Sequence, residues 1–320
     1  MSPFPNSDFD HREERNAEKP LDTLKLTVFI RSIPLIAGER KGFFAHEGIR
    51  LETTKPRNSA EQVSAVLSGT MDIMHTSADN VISYNESQGT DLSIFLGIDR
   101  GMNMALFVRP DIQSVGDLRG KLLGVDVVES GFSFILRKML LAKGLDLEKK
   151  DYELVAVGGS ARRYDALRSG KVAGALLNSP YDECAKEDGF APLVRAKEVL
   201  ESYLASVWAG RRAWARKHSD LLTRALRAYV KSVDWVSNPA NRQEVVDLLA
   251  EEEKISHAAA ARRLDEEMDP GAGAIPKALP DLRGLEAVIK LRAEMGFIKG
   301  PLPRSEKYCD CNFYNRAIVY

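Results

Sequence analysis

Small polar side chains and an arginine stand at several points where a strand-like apolar run gives way to a helical pattern. A helix N-terminus carries unpaired backbone N–H groups and a partial positive charge, and both favour a bound anion. Because helices of an α/β sheet begin at the carboxyl ends of strands, these junctions are expected to face one ligand site. For any single junction the alternative is an ordinary helix cap. The junctions are Arg31-Ser32, Thr76-Ser77, Ser130 and Asn178.

Cationic and aromatic side chains near these junctions could complete such a site. Arg31 and Arg100 could pair with a carboxylate or sulfonate through the forked guanidinium donors, and a surface salt bridge is the alternative. Tyr181 and Trp208 could stack on an organic ligand, with core packing as the alternative. His75 could act as a base or a ligand donor, or be a structural histidine. These residue types predict binding of a small organic anion.

Sequence signatures of the common cofactor and metal enzymes are absent. The chain has no phosphate loop, no dinucleotide glycine fingerprint and no zinc-helix histidine pair. The stretch 158–161 falls short of a nucleophile elbow because Arg162 stands where a glycine is needed. Cys184, Cys309 and Cys311 give neither a disulfide framework nor zinc spacing, and we interpret them as free thiols. No catalytic residue, metal or cofactor is predicted.

The bulk composition is that of an ordinary globular chain. Its 320 residues are 44% hydrophobic and 28% charged, with a net charge of −1, which gives no reason to expect nucleic acid as a partner. A basic stretch at 211–231 is interpreted as a solvated helix face, because Leu222, Leu226 and Val233 supply an apolar stripe at helical spacing. Docking of a partner protein on that face is the alternative.

The N-terminal segment bears on the compartment of the protein. Residues 1–20 are polar and of mixed charge, without the basic, apolar and cleavage regions of a signal peptide. No run approaches the length that spans a bilayer. The chain as written is therefore expected in the cytoplasm, or in the periplasm if an export signal has been cropped.

Two stretches of the chain resemble each other at a fixed offset. Residues 52–70 and 153–171 share matched serine, alanine and glycine positions, and each is followed by an apolar run. Strands alternate with helices through both copies, from a first strand at 24–30, which predicts an α/β fold with two similar lobes. After residue 202 the pattern predicts a strand over 203–209 and then helices, including one over 213–237, and the tail at 298–320 has no clear period.

Several short segments, in order and spacing, are similar to one known family. The chain resembles substrate-binding proteins of the nitrate/sulfonate/taurine ABC-transporter type, a group that includes the thiamine-pyrimidine synthase-like domain. The segments that carry the resemblance are 37–51, 65–72 with its Gly69 and Asp72, 114–121, 165–170 with Asn178-Ser179-Pro180, and 303–314.

The resemblance implies a type II periplasmic-binding-protein fold, in which two α/β lobes are joined by crossing strands with a ligand cleft between them. Residues 24–99 plus 200–320 would form lobe one, 100–199 lobe two, and 1–23 a disordered arm. The crossings would lie at Asp99-Arg100 and near 196–202. By resemblance, the ligand contacts would come from Ser32, Thr76, Ser77, Ser130 and Asn178.

The function implied is that of a monomeric solute-binding protein for an ABC importer. It would capture a small organic anion (a sulfonate, a carboxylate or a related heterocycle) by hinge closure and pass it to a permease. The alternative is a cytosolic enzyme on the same fold, decarboxylase-like or pyrimidine-synthase-like, or a ligand sensor. The chain lacks the cysteine cluster of the pyrimidine synthases and the first-loop cysteine of the desulfinases, which favours binding without chemistry.

Overall fold

The computed structural model describes residues 20–319. The predicted arm at 1–23 lies almost wholly outside them. The strands are β1 Asp22–Val28, β2 Ile49–Thr54, β3 Ile73–Ser77, β4 Leu92–Asp99, β5 Ala105–Val108, β6 Leu122–Val125, β7 Glu153–Ala156, β8 Gly174–Leu177, β9 Ala191–Arg195 and β10 Ser206–Arg211. The α-helices are α1 Ile33–Arg40, α2 Phe43–His46, α3 Ser59–Ser68, α4 Ala78–Gln88, α5 Gly131–Ala142, α6 Ser160–Arg168, α7 Tyr181–Glu187, α8 Arg212–Lys217, α9 Ser219–Ser237, α10 Arg242–Glu253, α11 His257–Glu267, α12 Leu282–Glu294 and α13 Cys311–Ile318.

The strands form two five-stranded mixed sheets with the same layout, β2-β1-β3-β10-β4 and β7-β6-β8-β5-β9. In each sheet the first three strands are parallel, and the fourth runs antiparallel to both of its neighbours. The repeated stretches place α3 before β3 and α6 before β8, which are equivalent strands of the two sheets. The predicted α/β class with two similar halves is confirmed.

Two crossings connect the sheets. The segment between β4 and β5 carries the chain from the first sheet to the second, and the segment between β9 and β10 brings it back. The crossings meet at Gly101, which has a φ of +62° and where an added Cβ would lie only 2.5 Å from the Cβ of Ala205. A side chain at position 101 is therefore excluded twice, by the backbone conformation and by the close approach. The exact division into lobes at 99/100 and 199/200 remains our proposal.

The apolar cores explain how the C-terminal helices are held. Trp208 of β10 stacks on Phe44 and contacts Tyr229 of α9, with ring centroids 6.4 and 4.8 Å apart. The stripe Leu222, Leu226 and Val233 of α9 is buried in the same cluster, as helical spacing predicts. The first sheet therefore carries α9 on one face.

The structure differs from the expected elements in three places. The single helix expected over 213–237 is divided into α8 and α9 at His218, whose ψ is +37° and whose ring stacks on Trp214. Strand β9 was not expected, because it is a short strand at a sheet edge and contains Pro192. The tail, expected to be irregular, forms α13, which begins after Asp310 and buries Phe313 against Phe95.

Helix α12 lies between the two halves and contacts both α4 and α5. Among the helices described in residues 20–319, none is both long and apolar enough to cross a membrane.

Candidate functional site

A cavity of about 130 Å³ lies between the two sheets. Elements of the first sheet, elements of the second sheet and α11 all contribute to its wall. The residues used below are Arg31, Ser32, His75 and Asp99 from the first sheet side, Phe132, Asn178 and Ser179 from the second, and Arg263, Glu266 and Glu267 from α11. A cavity formed by three separate parts of the chain is typical of a small-molecule site.

Three residues predicted for the site line this cavity. Ser32 caps α1, and its Oγ lies 2.9 Å from the Tyr229 hydroxyl. Asn178 Oδ1 accepts a hydrogen bond of 2.6 Å from Ser160 Oγ. Arg31 reaches the wall but its guanidinium is bound to Glu39 and Glu252. The structure thus brings Arg31, Ser32 and Asn178 together, as one cleft requires.

Two predicted serines lie outside the cavity lining and serve as helix caps, which was the alternative for each junction. Ser77 Oγ accepts from the backbone N–H of Asp79 at the start of α4, at 3.3 Å. Ser130 Oγ accepts from Ser133 N–H at the start of α5 and donates to Asp126 at 2.5 Å. Both hydroxyls are therefore engaged by their own helix and loop.

Three further predicted residues also lie outside the lining. Thr76 Oγ1 accepts a hydrogen bond of 2.9 Å from Asn80. Arg100 donates to the carbonyl of Ala274 at 3.2 Å and so fixes the first crossing. Tyr181 packs at a tilt against Tyr164, with ring centroids 6.2 Å apart. Each has a partner within the protein: a side-chain amide for Thr76, a backbone carbonyl for Arg100 and an aromatic ring for Tyr181.

His75, considered as a base, does line the cavity. Burial lowers the pKa of His75 to about 4, so the imidazole is neutral near pH 7. Its Nδ1 atom has no hydrogen-bond partner among the described residues. A neutral ring with a free nitrogen at a cavity wall can accept from or donate to a polar ligand, depending on its tautomer.

Sequence reasoning missed the acidic part of the wall. Glu267, at the end of α11, accepts a hydrogen bond of 2.6 Å from the backbone N–H of Ile33 at the start of α1. Burial raises the pKa of Glu267, and Arg263 opposes that shift. Asp99 is half-buried, and desolvation raises its pKa despite hydrogen bonds from Ser206 and Gly101. The Glu267–Ile33 and Asp99–Ser206 contacts join positions more than a hundred residues apart, so no local pattern signals them.

The two arginines of the wall are already matched by carboxylates. Arg31 pairs with Glu39 and with Glu252, the latter at 2.7 Å. Arg263 pairs with Glu253 and with Glu267, the latter at 3.3 Å. Both guanidinium groups keep an Nε without a partner among the described residues. The wall therefore has cationic groups, but their charge is largely neutralised by the protein.

Ion pairs connect α7, beside the second sheet, with α11 at the edge of the cavity. Lys186 contacts Glu266 at 3.0 Å, and Arg262 contacts both Glu183 and Glu187 at 3.0 Å. Burial, and then the neighbouring Asp182, raise the pKa of Glu266 to about 7. We call this group of residues the α7–α11 junction.

Three carboxylates of the α7–α11 junction are the candidate metal ligands within residues 20–319. Asp182, Glu183 and Glu266 each offer an oxygen within 4.8 Å of the others. Lys186 and Arg262 already supply positive charge to Glu183 and Glu266. The protein itself therefore compensates this acidic group, and we infer no metal site from it.

Comparison with known proteins places this arrangement in a family. The sequence profile described as the NMT1-like family matches residues 19–250, which is most of the chain. This chain belongs to the NMT1-like family. A Bacillus subtilis (strain 168) protein, YtlA, whose binding function is itself only proposed, is 22% identical over 243 residues, covering 73% of this chain and 72% of YtlA.

Solved structures similar to this NMT1-like chain show the same fold. The periplasmic nitrate-binding protein NrtA of Synechocystis PCC 6803 superposes with a TM-score of 0.76 at 14% identity, covering 93% of this chain and 88% of NrtA. The alkanesulfonate-binding protein SsuA of Xanthomonas axonopodis pv. citri, bound to MOPS, gives a TM-score of 0.74 at 14% identity, covering 91% and 100%. The resemblance to nitrate- and sulfonate-binding proteins and the periplasmic-binding-protein fold are thereby confirmed.

Proposed function

We propose that this protein is a solute-binding protein that holds one small organic molecule in the cavity between its two sheets. The observation that carries this proposal is the cavity itself, about 130 Å³ in volume and walled by both sheets and α11. Two crossings connect the sheets, so the halves could open and close around a guest by hinge motion. The nitrate-binding and alkanesulfonate-binding proteins of the same fold support the proposal, and a permease is the partner that it implies.

The wall also bears on the type of ligand. Of the three types expected from the sequence, the nitrogen heterocycle fits the lining better than the sulfonate or the carboxylate. The wall contributes an aromatic ring from Phe132, a neutral imidazole from His75, and the Ser179 hydroxyl, whose Oγ has no hydrogen-bond partner among residues 20–319. A partly apolar ring with a few polar atoms can satisfy these groups, because it buries apolar area and still forms hydrogen bonds.

A thermal-shift screen with small sulfonates, carboxylates and nitrogen heterocycles tests the proposal. We expect at least one compound to raise the melting temperature in a concentration-dependent way. Ser179→Phe, which places a ring in the cavity, should abolish that shift, because the ligand and the new side chain compete for the same volume. Ser64→Phe, an equal change at an exposed position of α3, should keep it.

Two outcomes would contradict the proposal. A stabilising compound whose effect survives Ser179→Phe would bind outside the cavity. Conversion of the bound compound by the purified protein, followed by mass spectrometry, would replace the binding function with the enzymatic alternative.

A further inference from the structure

The N-terminus of α1 is the part of the wall where an anionic ligand was expected, and its backbone donors are already in use. Ile33 N–H donates to Glu267 Oε1 at 2.6 Å. Pro34, the next residue, has no N–H. Leu35 N–H donates to Ser32 Oγ at 3.4 Å. The next N–H, that of residue 36, closes the first helical turn on Ser32 at 3.1 Å. Within the first helical turn, from Ile33 to residue 36, no N–H group is left for a ligand.

The charges around the same point are also matched. Arg263 donates from Nη2 to the backbone oxygen of Arg31 at 2.9 Å and contacts Glu267 at 3.3 Å. Arg31 in turn is held by Glu39 and Glu252. An anion entering here would meet Glu267 and Asp99 without an uncompensated cation.

Glu267 therefore stands in the position that a ligand anion would take. We propose that Glu267 is a built-in occupant of the anion position at the start of α1, and that it makes the cavity select ligands presenting hydrogen-bond donors, such as neutral or cationic N–H groups, over anions. This inference rests on the proposed function and names the ligand class of that site. Glu267 is a specificity-determining residue in this account.

A second observation points the same way. His75 lines the same cavity, and its buried Nδ1 atom has no hydrogen-bond partner among the described residues. Burial lowers the pKa of His75 to about 4, so the ring is neutral and offers no positive charge to an anion. When the ring carries its proton on Nε2, a ligand N–H group can donate to Nδ1, whereas a carboxylate or sulfonate cannot.

Benzoate and benzamidine, which have nearly the same shape and opposite polarity, are suitable probes together with inorganic sulfate. Dissociation constants would be measured by calorimetry for the wild type, Glu267→Ala and Glu267→Gln. We expect Glu267→Ala to bind benzoate or sulfate about tenfold more tightly than the wild type, because Ile33 N–H and Arg263 become available. Glu267→Gln removes the charge but keeps the shape of the side chain. It should also bind anions more tightly than the wild type, but by less than Glu267→Ala does.

Asp265→Asn is the matched control, since Asp265 lies on the same helix, is exposed and pairs with Arg242 at 2.6 Å. It removes one negative charge and should leave the affinities for anions unchanged. If Glu267→Ala does not fold, the test is whether Glu267→Gln binds benzoate or sulfate more tightly than Asp265→Asn does.

The inference is overturned if neither Glu267 variant gains affinity for anions, or if the wild type binds benzoate as tightly as the variants do. If the wild type binds benzoate as tightly as the variants and Ser179→Phe abolishes that binding, the cavity still binds a small molecule and the proposed function stands. The two proposals can therefore fail separately.

Discussion

At the residue scale, the buried Asp79–Arg292 ion pair connects three helices, α4, α5 and α12. Arg292 of α12 donates from Nη1 to both oxygens of Asp79 at 2.9 and 2.8 Å, and from Nη2 to Ser83 at 2.9 Å. Asp79, on the first turn of α4, also accepts from the backbone N–H of Gly131 at the start of α5. The Arg292 guanidinium lies 5.4 Å from the Phe134 ring centroid. The pair therefore links the helices of both sheets through α12.

Arg292→Met should cost about 3–5 kcal/mol in the free energy of unfolding, because it leaves the Asp79 carboxylate buried without its partner. Arg283→Met, on the same helix but 79% exposed, should cost less than about 0.5 kcal/mol. Urea titrations of both variants measure the difference. Equal costs would show that the Asp79–Arg292 pair does not stabilise the fold.

The sequence could predict helices and strands whose ends are marked by residues close together along the chain. Asn58 and Ser77 begin helices as expected, because a cap and the N–H it accepts are only a few residues apart. The α11 side of the cavity could not be predicted, because Glu267 and Ile33 meet only through the tertiary fold. Local patterns also could not show that Thr76, Ser77 and Ser130, which were expected in the site, would lie outside the cavity wall.

The α7–α11 junction should weaken as the pH rises. The folded-state pKa of Glu266, about 7, is above the 4.5 of a free side chain, so the folded protein binds more protons between these values. The stability contributed by the protonated form is complete below about pH 4.5 and is lost as the pH rises through about 7. Asp182 and Glu183 disfavour the ionised form, while Lys186 favours it.

Melting temperatures of the wild type and Glu266→Gln at pH 5.5, 6.5 and 7.5 check this expectation. The wild type should lose stability relative to the variant as the pH increases, since glutamine remains neutral throughout. A difference that stays constant over this range would contradict the assignment to Glu266.

At the scale of the whole molecule, the two halves are held differently at their two ends. Near α12 the buried Asp79–Arg292 pair contacts α5 of the other half through Gly131 and Phe134, and Lys138 of α5 pairs with Glu294 at 2.8 Å. At the α7–α11 junction, the Arg262 side chain is 46% exposed, and such pairs contribute at most about 1 kcal/mol each. We expect opening to occur at the junction, with α12 on the hinge side.

Arg262→Ala should shift the population toward an open form by about fivefold, because two exposed pairs of about 0.5 kcal/mol each are lost from the closed form. Small-angle X-ray scattering would record a larger radius of gyration for the variant than for the wild type. Arg242→Ala, which breaks the pair with Asp265 between α10 and α11, should leave the radius unchanged. Equal radii of gyration for all three proteins would show that opening does not occur at the α7–α11 junction.

The strand order has a consequence for synthesis on the ribosome. In the first sheet, β10 lies between β3 and β4, although more than a hundred residues separate it from β4 along the chain. When β1 to β4 have emerged, the sheet still lacks the strand that pairs with both β3 and β4. The second sheet, β5 to β9, is complete in one continuous stretch before β10 is translated. The half that begins later in the nascent polypeptide is therefore the first that can finish assembling, and the earlier half must wait for it.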